Sequence, residues 1–170
     1  MILQHPREHR MPIGTGRMVH LSLPNSELHR GLRFEGAPHL AAALVNAALL
    51  YPGADAHPPD SFADAPPGTL VVLDGTWVEA RKLLRHNPAL QALPRIGFVP
   101  SIPSAYRIRR APASHCWSTI EAVAYVLGVL EGDPDRFAPL LIPFHRLVAR
   151  QLAYGRSHDV IGRVRRRGSS

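Results

Sequence analysis

A single cysteine, Cys116, is all the sulfur chemistry this chain has for cross-linking. Neither an intramolecular disulfide nor a cysteine-built zinc site can exist within it, and no metal is expected. Lysine is as scarce, with Lys82 standing alone. The histidines are scattered, and His5 and His9 flank Pro6 with no helical frame for a metal pair. No zinc-helix motif, phosphate-binding glycine loop or dinucleotide fingerprint is present, and Ser118 lacks the context of a nucleophile elbow, so hydrolysis has little support. No segment approaches the roughly 20 apolar residues that span a bilayer, and "MILQHPREHR" has no signal-peptide core. The expectation is a soluble, cytoplasmic protein without a membrane partner.

What is present is a core-forming composition. Hydrophobic residues make up 45% of 170 and charged residues 19%, enough apolar surface for one domain and not the balance of a disordered chain. Lys and Arg total 20 against 13 Asp and Glu, a formal charge of +7 that favours an anionic partner such as RNA or DNA. Arginine forks match phosphates and stack on bases better than ammonium groups do. A GC-rich genome produces the same Arg, Ala and Pro bias, so composition leaves both explanations standing.

The pattern of apolar runs predicts an α/β fold. "ILQ" and "ELHRGLRF" read as strands, "LAAALVNAALL" as helix passing into strand, and "TLVVLD" as a short buried strand. Residues 51 to 68, "YPGADAHPPDSFADAPPG", read as one surface excursion. After "TLVVLD", Val78, Leu83 and Leu84 share one helix face, with Glu79, Arg81, Lys82 and Arg85 on the other. "RIGFV" is the next strand. "STIEAVAYVLGVLE" opens on Ser118 with Glu121 three residues on, a capping box. Asp133-Pro134 suits the start of a last helix that runs towards Tyr154 and stops at Gly155. Alternating strands and helices imply one mostly parallel sheet covered on both faces.

In an open parallel sheet, ligands gather beyond the carboxyl ends of the strands. Asp74, Gly75, Thr76 and Trp77 fall at such an end: Gly75 permits close backbone approach, Thr76 can cap the next helix, Trp77 offers a flat apolar surface and Asp74 supplies a carboxylate. The same residues also serve a purely structural strand-to-helix turn. Ser118, Thr119 and Glu121 cap a helix, and free amides with hydroxyls at a helix start also bind a carboxylate. In "SAYRIRRAP", Arg107 and Arg109 share a face if the segment is a strand, which suits phosphate contacts or a charged, solvated edge. "RVRRR" is a basic tail.

"LQHPRE", "GTGRM", "LSLPNSEL", "LLYPGADA", "VVLDGTWVEARKLLRHNPAL", "SAYRIRRAP" and "STIEAVAYVLGVLE" occur in the order seen in the DTW-domain family, whose signature D-X-T-W is matched by Asp74, Thr76 and Trp77. The chain therefore resembles that family over nearly its whole length. The resemblance implies a SPOUT-like, knotted single domain over residues 1–157, with 158–170 as a basic tail. It implies transfer of the aminocarboxypropyl group from S-adenosylmethionine to N3 of a uridine in tRNA, leaving methylthioadenosine. Many relatives carry a cysteine-rich N-terminal module that this sequence does not show before "LQHPRE".

On that resemblance, Leu50, Tyr51 and Pro52 with Leu73, Asp74, Gly75, Thr76 and Trp77 are expected around the adenosine. Ser118 and Thr119 are expected at the methionine carboxylate, and Glu121 or Asp74 at its ammonium. Asp74 is the candidate base or orienting group for the uridine proton. Arg7, Arg17, Arg107, Arg109 and Arg110 are candidate RNA phosphate contacts, with Tyr106 stacking. Rival readings are a SPOUT-type methyltransferase using the same donor, and a non-catalytic RNA-binding protein. If the basic surface binds tRNA, log K falls with log salt by roughly 0.7–0.9 per phosphate contacted, which a filter-binding salt series measures. A flat response counts against it.

Overall fold

The computed structural model describes residues 1–8, 14–36, 38–106 and 117–167, with residues 38, 39 and 155–167 described by backbone alone. The strands are β1 (Ile2–Gln4), β2 (Leu28–Arg30), β3 (Ala47–Leu50), β4 (Ala56–His57), β5 (Thr69–Asp74) and β6 (Arg95–Ile96). The α-helices are α1 (Thr15–Ser22), α2 (Pro38–Leu44), α3 (Trp77–His86), α4 (Pro88–Gln91), α5 (Thr119–Leu130) and α6 (Leu141–Arg167). The strands form one sheet in the order β2-β1-β5-β3-β6-β4, and every pairing is parallel.

Side-chain alternation divides the core between the two faces of this sheet. Ile2 and Val72 pack with Val19 of α1, with Ile120 and Val123 of α5, and with Phe144 and Val148 of α6. Leu3, Leu49, Val71 and Leu73 point the other way, onto Leu40 of α2, Ala80 and Leu83 of α3, and Leu90 of α4. Ala48 and Ile96 meet Val126 and Leu130 of α5 in a smaller cluster. Helices thus cover both faces, as the apolar run "TLVVLD" requires of a strand with no solvent side.

Several boundaries differ from the sequence reading. Only Leu28–Arg30 of "ELHRGLRF" is strand; the next amide, Gly31 N, still donates to Gln4 O before the chain turns. "RIGFV" keeps two strand residues, Arg95 and Ile96. A Cβ on Gly97 would lie 2.7 Å from Ala56 Cβ, so the glycine lets two segments touch where the strand ends. The 51–68 excursion contains β4 and a 3₁₀ turn at Pro59–Phe62.

In α3 the inward face is Glu79, Ala80 and Leu83, whereas Val78 is 54% exposed. Glu79 turns inward because its carboxylate takes the Thr76 amide at 2.8 Å, a cap that outweighs the apolar pattern. The last helix begins at Leu141, after a 3₁₀ turn, and continues through Gly155 to Arg167. A glycine inside a helix costs about 1 kcal/mol relative to alanine, which so long a helix absorbs.

Among the described residues no helix is long and apolar enough to cross a membrane. Leu83 is fully buried between α3 and the sheet. Leu83→Ala is expected to cost about 2–5 kcal/mol, read as a lower urea midpoint at unchanged slope.

Candidate functional site

β5 lies between β1 and β3, and its last residue, Asp74, is level with Gln4 at the end of β1. In register on parallel strands, both side chains point to the α1/α5 face. Asp74 is 3% exposed. Its carboxylate accepts from Gln4 Nε2 at 2.8 Å and from Thr119 Oγ1 at 3.1 Å. It packs against Gly16 in the first turn of α1, where a Cβ would fall 2.4 Å from Asp74 Cγ. The positive end of α1 and two hydrogen bonds therefore compensate the buried charge. Gln4 Oε1 in turn accepts from Arg30 Nε at 3.1 Å, and Arg30 is level with Gln4 on β2.

Beyond the carboxyl ends of β3, β5 and β6 lies a cleft of about 440 Å³. Leu50, Tyr51 and Pro52 form one wall, Leu73, Gly75 and Trp77 a second, and Gly97 to Pro100 with Trp117 a third. The Tyr51 and Trp77 rings meet edge-on at 6.0 Å, and Phe98 and Trp117 at 5.4 Å. Trp117 is held by its Nε1–H, which donates to Ile102 O at 2.8 Å.

Both helices at the cleft open with the same device. Thr76 N and Oγ1 donate to Glu79 Oε2, each at 2.8 Å. Ser118 N and Oγ donate to Glu121 Oε2 at 2.8 and 2.6 Å. The cap residues are thereby occupied, and it is the first and fourth helical residues that reach the cleft: Trp77 and Ala80 from α3, Thr119 and Ala122 from α5. Positions three apart share a helix face, and alanine at the inner one leaves room.

The sequence-derived candidates separate accordingly. Leu50, Tyr51, Pro52, Leu73, Gly75, Trp77 and Thr119 line the cleft, and Asp74 stands behind Thr119. Thr76 and Ser118 are caps set back from the wall. Glu121 is also set back, because besides Ser118 it takes Ser104 Oγ at 2.6 Å and Ala105 N at 2.7 Å. A carboxylate with that many donors holds chain segments together and is poorly placed for a ligand ammonium. Arg7 and Arg17 are exposed. Tyr106 is half-buried, its ring 5.7 Å from that of Phe144. Arg107, Arg109 and Arg110 lie outside the described residues.

Sequence reasoning missed Gln4, Gly16, Phe98, Trp117 and Ala122. A signal existed for two of them. Gly97-Phe98 follows a strand as Gly75 follows β5, and Trp117 precedes a capping serine.

The DTW domain family model matches residues 1–152. The chain belongs to the DTW domain family. Among its relatives, tRNA-uridine aminocarboxypropyltransferase 2 of Drosophila melanogaster is 34% identical over 163 residues, covering 91% of this chain and 65% of that protein. The proteins of the same name from Macaca fascicularis and Mus musculus are 32% and 31% identical, with 91% of this chain and 55% of theirs covered. The chain thus spans between 55% and 65% of the length of these relatives. No solved structure matches it. In this DTW domain the signature divides into a buried carboxylate, a cap and a cleft wall, contributed by Asp74, Thr76 and Trp77 respectively.

Two substitutions probe that division. Gly16→Ala drives a methyl group into the Asp74 carboxylate, and Asp74→Ala leaves Gln4 Nε2 without its acceptor. Each is expected to cost about 1–3 kcal/mol in urea unfolding. An unaltered midpoint in Gly16→Ala would show that Asp74 moves aside freely.

Proposed function

We propose that the chain transfers the 3-amino-3-carboxypropyl group of S-adenosylmethionine to N3 of a uridine in tRNA. The observation that carries this is the meeting of Asp74 and Thr119, 3.1 Å apart, beside an aromatic-walled cleft at the carboxyl edge of a parallel sheet. The names of the relatives support the reaction, and the geometry of the cleft supports this site for it.

The cleft suits the donor. Among the described residues that line it, no side chain is charged. Adenine and a sulfonium both gain from aromatic faces, the one by stacking and the other by cation–π attraction. Tyr51, Trp77, Phe98 and Trp117 would hold these parts, with backbone at Leu50–Pro52 and Leu73–Gly75 reading the adenosine. When bound, the donor supplies an electrophilic carbon activated by its sulfonium. The chain's task is to present one arm of three to the acceptor and keep water away.

Thr119 has a defined polarity. Its hydroxyl proton is committed to Asp74, so the oxygen lone pairs are left for a donor on the cleft side. A uridine N3–H is such a donor. Transfer at N3 releases that proton, and Thr119 Oγ1 can accept it as its own proton passes to Asp74 Oδ1. In this arrangement Asp74 acts through Thr119 and is a positioning residue. Caps at Ser118 and Thr76 fix the helix mouths, and Glu121 ties the 104–105 segment to α5.

The knotted SPOUT-like topology, a catalytic unit over 1–157 followed by a basic extension at 158–170, and a cytoplasmic location belong to the same reading. The all-parallel sheet supports the first and the +7 charge supports tRNA as acceptor.

Incubation with donor and total tRNA, followed by mass spectrometry of nucleosides and spent donor, decides the matter. Methylthioadenosine with an aminocarboxypropyl-uridine is expected. S-adenosylhomocysteine would establish a methyltransferase instead, and no donor binding a non-catalytic RNA-binding protein. Thr119→Val keeps the shape and removes a hydrogen bond to a charged group, worth roughly 1.5–3 kcal/mol, so turnover is expected to fall roughly tenfold to a hundredfold. Ser118→Ala should chiefly lower stability, by about 0.5–2 kcal/mol.

A further inference from the structure

The row of polar side chains that ends at Thr119 has another end. Arg30, Gln4 and Asp74 are level with one another on β2, β1 and β5. They are joined by hydrogen bonds from Arg30 Nε to Gln4 Oε1 and from Gln4 Nε2 to Asp74 Oδ2. Arg30 itself is exposed at the sheet edge. There, Arg17 and His20 of α1 join it around a shallow groove of about 330 Å³, also lined by Leu21 and Leu28.

Among the described residues the ion pairs leave Arg17 and Arg30 without a carboxylate partner. His20 is oriented by Ser26, its Nδ1 lying 3.0 Å from Ser26 Oγ. Two guanidiniums and an imidazole facing one concavity suit a phosphodiester, because forked donors match its paired oxygens. Strands lie about 4.8 Å apart, so Arg30 is about 10 Å along the sheet from Asp74. A polyanion gripped there would stand close to the cleft.

We infer that the groove formed by Arg17, His20 and Arg30 is a phosphate subsite for the tRNA acceptor, gripping its backbone beside the nucleotide presented to the cleft. This rests on the transferase reading for the identity of the acceptor. A second basic concavity, lined by Arg81, Lys82 and Arg85 on α3, has no such hydrogen-bonded connection to Asp74 among the described residues and provides the control.

The test measures equilibrium binding of total tRNA across a salt series for the wild type, Arg17→Ala, Arg17→Gln and Arg81→Ala. Both Arg17 variants are expected to lower the slope of log K against log salt by about 0.7–0.9, the loss of one phosphate contact, while Arg81→Ala keeps the wild-type slope. Arg17 is solvent-exposed, so both variants should fold, and circular dichroism checks this. Unchanged slopes in the Arg17 variants, or a loss confined to Arg81→Ala, overturns the inference. So does binding of wild type but not Arg17→Ala to phosphatidylserine vesicles with tRNA slopes equal. The slope requires no turnover: absence of methylthioadenosine from the wild type would remove the transferase reading and leave this measurement to judge the groove by itself.

Discussion

A carboxylate buried to 3% exposure is tolerable only if its surroundings replace the water it has lost. Around Asp74 those replacements come from separate parts of the chain: Gln4 from β1, Thr119 from α5 and the first turn of α1 at Gly16. The charge therefore fixes the mutual positions of three elements at once. Gln4 has little freedom within this arrangement, since its Nε2 faces Asp74 while its Oε1 faces Arg30. Reversing the amide would set oxygen against carboxylate and NH₂ against guanidinium, leaving both partners worse served.

The hydroxyl residues near the cleft are alike in chemistry and different in use. Thr76 and Ser118 precede their helices, so their oxygens sit within reach of the glutamates three residues on. Thr119, one position later, has already entered the helix and points across to the neighbouring strand end. A single step along the backbone changes a cap into a cleft residue. The same step applied to α3 yields Trp77, so the first helical residues of α3 and α5 both line the cleft.

Much of this was legible in local sequence. "TLVVLD" is apolar without alternation, and it is the strand covered on both faces; Ser118 and Glu121 have capping-box spacing and the helix begins there. What local pattern could not supply was strand order. Gln4 meets Asp74 only because β5 inserts between β1 and β3, and Gly16 is required only because α1 then lies over that junction. Nothing in "ILQ" or "GTGRM" announces either contact. Glu79 was misread for the opposite reason: a local hydrogen bond overrode its polarity and turned it inward. Phe98 and Trp117 are separated by a long stretch of chain, and their pairing is again a matter of tertiary structure.

On the proposed transfer, the division between apolar cleft and basic exterior would constrain how a donor and a polyanionic acceptor meet. Among the described residues the cleft is lined without formal charge, so these walls give a polyanion no electrostatic reason to enter, and burying phosphates against them would be costly. On that reading the +7 charge would act from outside the cleft, drawing a polyanionic acceptor to the surface and leaving only a neutral base to cross the rim. Arg30 stands at that boundary, exposed at one end of a hydrogen-bonded row whose other end is Thr119. The same side-chain hydrogen bonds that satisfy the Asp74 carboxylate thus also connect Thr119 at the cleft to Arg30 at the sheet edge.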